Sequence, residues 1–77
     1  MDLAEAFGVV MRELRIEGGL TQEQLGFEAG IRRTFVSVLE LGQQQPTLTT
    51  IFKLAPALGI TPAALIKLVE TRIEQTV

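Results

Sequence analysis

The ionic side chains in this 77-residue chain are nine Asp and Glu and seven Lys and Arg, and Ser37 is its single serine. His and Cys are absent, as are Tyr and Trp. The usual general base, the thiol nucleophile and the imidazole and thiolate ligands of zinc are therefore missing, and neither an enzyme nor a metal or cofactor site is expected. What remains is charge, and it is unevenly distributed. Residues 1–29 hold Asp2, Glu5, Glu13, Glu17, Glu23 and Glu28 against Arg12 and Arg15, whereas residues 30–69 hold Arg32, Arg33, Lys53 and Lys67 against Glu40. A chain of formal net charge −2 can thus present one locally positive face to an anionic partner.

Those groups need elements to position them, and every periodicity in the chain is helical. Leu3, Phe7, Val10 and Leu14 share one helical face and predict a helix from about Asp2 to Glu17, stopped by Gly18-Gly19. Thr21 with Gln24 has the form of a capping box and opens a second helix, which ends at Gly30. A third runs from about Arg33 to Leu41, with Gly42 just past its end and Gln43-Gln44-Gln45-Pro46 as a loop. Thr47 caps a fourth, whose buried stripe is read as Leu48, Ile51, Phe52 and Ala55. Pro56 lacks a backbone N–H, so a kink or an end is expected there. Thr61-Pro62 starts a fifth helix that runs to about Glu74. With 47% hydrophobic and 21% charged residues, the expectation is an all-α, single-domain protein over residues 1–77. The start of the chain lacks a basic region and a long apolar run, and no stretch approaches the ~20 apolar residues of a membrane span. Together with the absent cysteines this leads to a cytoplasmic expectation, with no membrane partner.

The segment from Gln22 to Leu41 satisfies several constraints at once. Two short helices crossing closely need a very small residue at the crossing, and Gly26 is there. The tight turn between them needs a residue tolerant of positive φ, and Gly30 is there. The inner faces need apolar side chains, which Leu25, Ala29, Ile31, Val36 and Leu39 supply. This is the pattern of a helix-turn-helix. Around it stand Arg12-Glu13-Leu14-Arg15, Gly19-Leu20-Thr21-Gln22-Glu23-Gln24-Leu25, Val36-Ser37-Val38-Leu39-Glu40-Leu41-Gly42, Pro46-Thr47-Leu48 and Leu54-Ala55-Pro56-Ala57-Leu58-Gly59-Ile60. On these words the chain resembles the Xre/Cro/CI-type helix-turn-helix family, the small repressors of phages and the controller proteins of restriction–modification systems. The resemblance runs over roughly residues 5–68. It implies a compact five-helix, lambda-repressor-like fold and a DNA-binding transcription regulator. In that arrangement the third helix enters the major groove and the second lies across the phosphate backbone.

The resemblance also assigns roles. Gln22, in the first turn of the second helix, is positioned to donate its amide to a phosphate, where the helix dipole favours an anion; otherwise it is a solvated glutamine. Arg33, Thr34, Ser37 and Val38 lie on the outward face of the third helix. Arg33 can bond guanine O6 and N7, Thr34 and Ser37 can bond base edges or phosphate, and Val38 can touch a thymine methyl. Arg32 is assigned to a phosphate. Phe35 faces either the core or the sugar–phosphate wall. Arg15 and Glu40 match a structural ion pair tying the first and third helices. Two departures from the family pattern matter. Arg32 stands where Ser or Thr commonly caps the third helix, so that cap is weaker. Val38, Leu41, Gln43 and Gln44 occupy positions that are often basic or strongly polar, which implies fewer phosphate contacts and a shallower salt dependence.

That deficit makes a homodimer the expected binding unit, on a pseudo-palindromic operator. The fifth helix has more apolar residues than one stripe needs. Leu65 and Leu68 are read as core, and Ile66, Val69 and Ile73 as a second stripe for a symmetry mate; the alternative is one wide core stripe. Nothing in the sequence suggests a small-molecule effector site. The rival functional reading is a protein-interaction module or antitoxin subunit with the same fold and little DNA binding.

Overall fold

A computed structural model describes residues 1–75, so the last two positions of the expected 1–77 domain lie outside the described residues. Five α-helices are present among them: α1 (Leu3–Glu17), α2 (Gln22–Ala29), α3 (Arg33–Glu40), α4 (Leu48–Ala57) and α5 (Pro62–Gln75). Their starts follow from local chemistry. The Asp2 carboxylate accepts from Glu5 N–H at 2.8 Å while Glu5 accepts from the Asp2 N–H at 3.1 Å, a capping box that opens α1. Thr21 and Gln24 make the same reciprocal pair at 3.0 and 2.9 Å at the start of α2. Thr47 Oγ1 accepts from Thr50 N–H at 3.1 Å, and Thr61 Oγ1 accepts from Ala64 N–H at 3.1 Å, ahead of α4 and α5. α3 is the exception: Arg32 occupies its N-cap and makes no side-chain capping bond. Pro56 lies inside α4, which has one further residue to run before it ends at Ala57.

α1 packs against α3 and α5, α2 against α3 and α4, and α4 against α5. The core they enclose is formed by Ala6, Phe7, Val10 and Met11 of α1, Leu25 and Ala29 of α2, Val36 and Leu39 of α3, Ile51, Leu54 and Ala55 of α4, and Leu65 and Val69 of α5. No single helix among the described residues is long and apolar enough to cross a membrane.

Two readings of the apolar stripes are corrected. In α4 the buried line is Ile51, Leu54 and Ala55 with Thr50, while Leu48 and Phe52 are exposed. The helix turns its Ile51–Ala55 line inward because it must touch α2 and α5 together, and Leu48 and Phe52 fall on the flank of that line. In α5, Val69 is 4% exposed and belongs to the core, whereas Leu68 is 42% exposed. Leu65, Val69 and Ile73 recur every four residues and form the line seated between α1 and α4, with Ile73 packed against the core. Val69 and Ile73 therefore do not form a free second stripe with Ile66, which alone of the three is exposed.

Candidate nucleic-acid interface

The two helices of the expected motif are fixed by contacts their glycines permit. A Cβ on Gly26 would lie 2.7 Å from the Ile31 carbonyl oxygen and 3.3 Å from the Arg33 nitrogen, so the turn can pass over α2 only at a residue without one. Gly30 takes φ +73°, the left-handed conformation that ends α2 and redirects the chain into α3. α3 is anchored by Val36 and Leu39, both fully buried. Its other side is open: Arg33 and Thr34 are exposed, and Ser37 and Val38 are half-buried. Arg32, just before the helix, is exposed as well. Neither Arg32 nor Arg33 has a side-chain hydrogen bond or an ion pair among the described residues. Phe35 is half-buried and packs against the core cluster.

Behind this face lies a polar junction. Arg15 Nε donates to Glu40 Oε2 at 2.6 Å and Arg15 Nη2 donates to Glu40 Oε1 at 3.0 Å, while Arg15 Nη1 donates to the Leu20 carbonyl at 2.9 Å. The Arg15 and Glu40 side chains are only 12% and 4% exposed. Hydrogen bonding to the Glu40 carboxylate raises the Arg15 pKa above its ordinary value, with burial opposing. One guanidinium thus ties α1, the α1–α2 turn and the end of α3 together. Gln22 joins the same junction: its Nε2 donates to Glu40 Oε1 at 3.1 Å. The sequence reading placed the Gln22 amide toward a phosphate; here at least one of its N–H groups is spent on Glu40. No buried side-chain nitrogen or oxygen lacks a partner among the described residues.

In front of the junction, Arg15, Leu20, Thr21, Gln22, Glu23 and Arg33 border an open cleft of about 570 Å³. It combines the start of α2 and the exposed Arg33, a combination suited to an anion with several oxygens. Glu23 on its rim has the wrong sign for that and limits the charge complementarity.

Three features of the site were not read from the sequence. The Gln22–Glu40 bond joins residues 18 positions apart and has no local signature. Arg72 of α5 forks onto Glu13 of α1, again a pairing of distant positions. Gly8, inside α1, lies where a Cβ would be 2.5 Å from the Leu39 carbonyl oxygen and 2.7 Å from that of Glu40. A glycine in the middle of a helix between Phe7 and Val10 was the available signal, since such a residue weakens a helix unless close packing requires it.

A family model described as helix-turn-helix, HTH_3, matches residues 11–65. Among curated proteins, the chain is 38% identical over 66 residues to an uncharacterised HTH-type transcriptional regulator of Sinorhizobium fredii, covering 86% of each chain. It is 36% identical over 61 residues to the control protein C.BamHI of Bacillus amyloliquefaciens, covering 78% of this chain and 75% of that one. Among solved structures, the restriction-modification controller protein C.AhdI from Aeromonas hydrophila superposes with a TM-score of 0.77 at 45% identity, over 80% of this chain and 94% of that one. The glycine-governed turn, the five-helix core and these likenesses agree: the chain belongs to the Xre-type helix-turn-helix family of transcriptional regulators.

Proposed function

We propose that this chain is a sequence-specific DNA-binding transcription regulator that binds a pseudo-palindromic operator as a homodimer, with α3 in the major groove. The observation that carries the reading is the division of α3. Val36 and Leu39 are fully buried, while Arg33 and Thr34 on the other side are exposed, with no side-chain hydrogen bond or ion pair among the described residues. A helix so mounted presents a rigid row of base-reading groups, with Arg33 suited to guanine, Thr34 and Ser37 to base edges or phosphate, and Val38 to a thymine methyl. Arg32 serves a neighbouring phosphate. Gln22, oriented by Glu40, has its second N–H for the backbone, so its role becomes one of holding the α2 start to α3 as well as touching DNA.

Arg32 and Arg33 are few cations for tight monomeric binding, which is the argument for two protomers. Ile66 remains the fifth-helix candidate for the symmetry contact; with Leu3, Phe7, Pro46, Ile51 and Val69 it borders a small apolar groove of about 90 Å³. In such a dimer the two α3 helices meet successive major grooves, ~34 Å apart. The names of the relatives, a transcriptional regulator, a control protein and a restriction-modification controller protein, support the regulatory reading.

One observation favours the rival reading of a protein-interaction module: Phe27 on α2 is 87% exposed and sits between Glu23 and Glu28. Selection of bound duplexes from a random DNA pool separates the two. Enrichment of an inverted repeat, bound with a salt-dependent constant, is the expected result. No enrichment at low salt overturns the proposal in favour of the interaction module.

A further inference from the structure

In the second half of α1 the two edges carry opposite charge. Glu13 and Glu17 border the crevice between α1 and α5, together with Leu68, Thr71 and Arg72, and Arg72 forks onto the Glu13 carboxylate. Arg12 lies on the other edge. It borders a separate cleft of about 140 Å³ whose further walls are Arg15, Gln22, Ser37, Glu40 and Leu41. Within that cleft Arg15 and Glu40 neutralise each other and Gln22 is bound to Glu40. The uncompensated charge on its rim is therefore that of Arg12, an exposed side chain with no hydrogen bond or ion pair among the described residues.

We propose that Arg12 is a DNA-contacting residue: its guanidinium, beside the Ser37 hydroxyl, binds a backbone phosphodiester of the duplex whose major groove receives α3. The proposal rests on the DNA-binding reading and extends the contact surface from the helix-turn-helix onto α1. Ser37 fixes the geometry. It stands on the open side of α3, so a strand flanking that helix passes over the cleft that Ser37 and Arg12 share. The chemistry is a cation with two parallel N–H donors facing a phosphate, while the carboxylate of the cleft, Glu40, is engaged by Arg15 and Gln22. The arrangement also reconciles an acidic chain with an anionic partner. Glu13 and Glu17 are turned toward α5, Glu5 lies apart against Gly42, and Arg12 is turned toward α3, so a formal charge of −2 does not describe the surface around the Arg12 cleft.

The test compares wild type, Arg12→Ala and Arg12→Lys on a duplex selected from a random pool and on a random-sequence duplex, each titrated against salt. Arg12→Ala is expected to reduce the slope of log K against log salt by about one per protomer. It should weaken binding to both duplexes by a similar factor, keeping the ratio between them, and leave the melting temperature at the wild-type value. Arg12→Lys should restore most of the slope. An unchanged slope in Arg12→Ala, with wild type binding normally, overturns the Arg12 assignment and leaves the DNA-binding reading standing. A weakened variant that melts lower and is not rescued by Arg12→Lys overturns it in favour of a structural role. Wild type that binds neither duplex at low salt overturns both.

Discussion

The Glu40 carboxylate takes hydrogen bonds from two nitrogens of Arg15 and from the amide of Gln22. Deleting it leaves the guanidinium of Arg15, a side chain only 12% exposed, without its partner. Glu40→Ala is accordingly expected to cost ~3–5 kcal/mol, the range for breaking a buried pair from one side. Arg33→Ala removes an exposed side chain with no hydrogen bond or ion pair among the described residues, so its stability should stay within about 0.5 kcal/mol of wild type while preference for the selected duplex is lost. Thermal melts and duplex titrations of the two variants check this, and equal melting losses would contradict the separation of scaffold from contact residues. Arg15 and Glu40 were legible as partners only through the family resemblance. Gln22 was read by its place at a helix start, where a phosphate is the natural guest, and its actual partner is brought there by the folding of α3.

At the scale of elements, the closest constraint is the crossing of α1 over the end of α3. The atoms that a Gly8 Cβ would strike are backbone carbonyl oxygens of Leu39 and Glu40, which cannot rotate away as a flexible side chain can. Gly8→Ala must push the two helices apart, with an expected loss of about 1–3 kcal/mol. The displacement also disturbs the Arg15–Glu40 contact, so circular dichroism melts of Gly8→Ala and Glu40→Ala should show a combined variant losing less than the sum of the two. Caps, glycine stops and helix order were readable because each depends on a few neighbouring residues. The buried stripes of α4 and α5 were read less well. Each helix touches two others, and the chain has more apolar residues than one stripe requires, so spacing alone did not choose between Leu68 and Val69.

Across the whole molecule, charge and association are the quantities to test. Hydrogen bonding to Arg72 holds the Glu13 carboxyl below its ordinary pKa. A lowered carboxyl pKa stabilises the fold above the unfolded value, and the contribution is lost as pH falls through the folded one. Glu13→Gln should therefore melt slightly below wild type near neutrality, with the difference closing as pH falls below the ordinary carboxylate range and shrinking in high salt. The difference is modest because Glu13 is half-exposed. For association, Ile66→Asp sets a charge on the exposed side of α5, where the proposed symmetry contact lies. It should weaken self-association by about tenfold or more in sedimentation, and operator binding with it. Wild type sedimenting as a monomer, on and off DNA, would refute the homodimer.

By itself the sequence determined the class of the protein. Helical periodicity, the caps at Thr21, Thr47 and Thr61, and the glycines at 26 and 30 act over a few residues, and together they admit a helix-turn-helix within a five-helix core. Tertiary structure decided which side chains are free. Arg15, Gln22 and Glu40 converge from three helices and satisfy one another, Glu13 is drawn to Arg72, and Arg12 is left facing the cleft beside Ser37. Those pairings depend on through-space distances between positions far apart in the chain, and helix packing alone sets such distances.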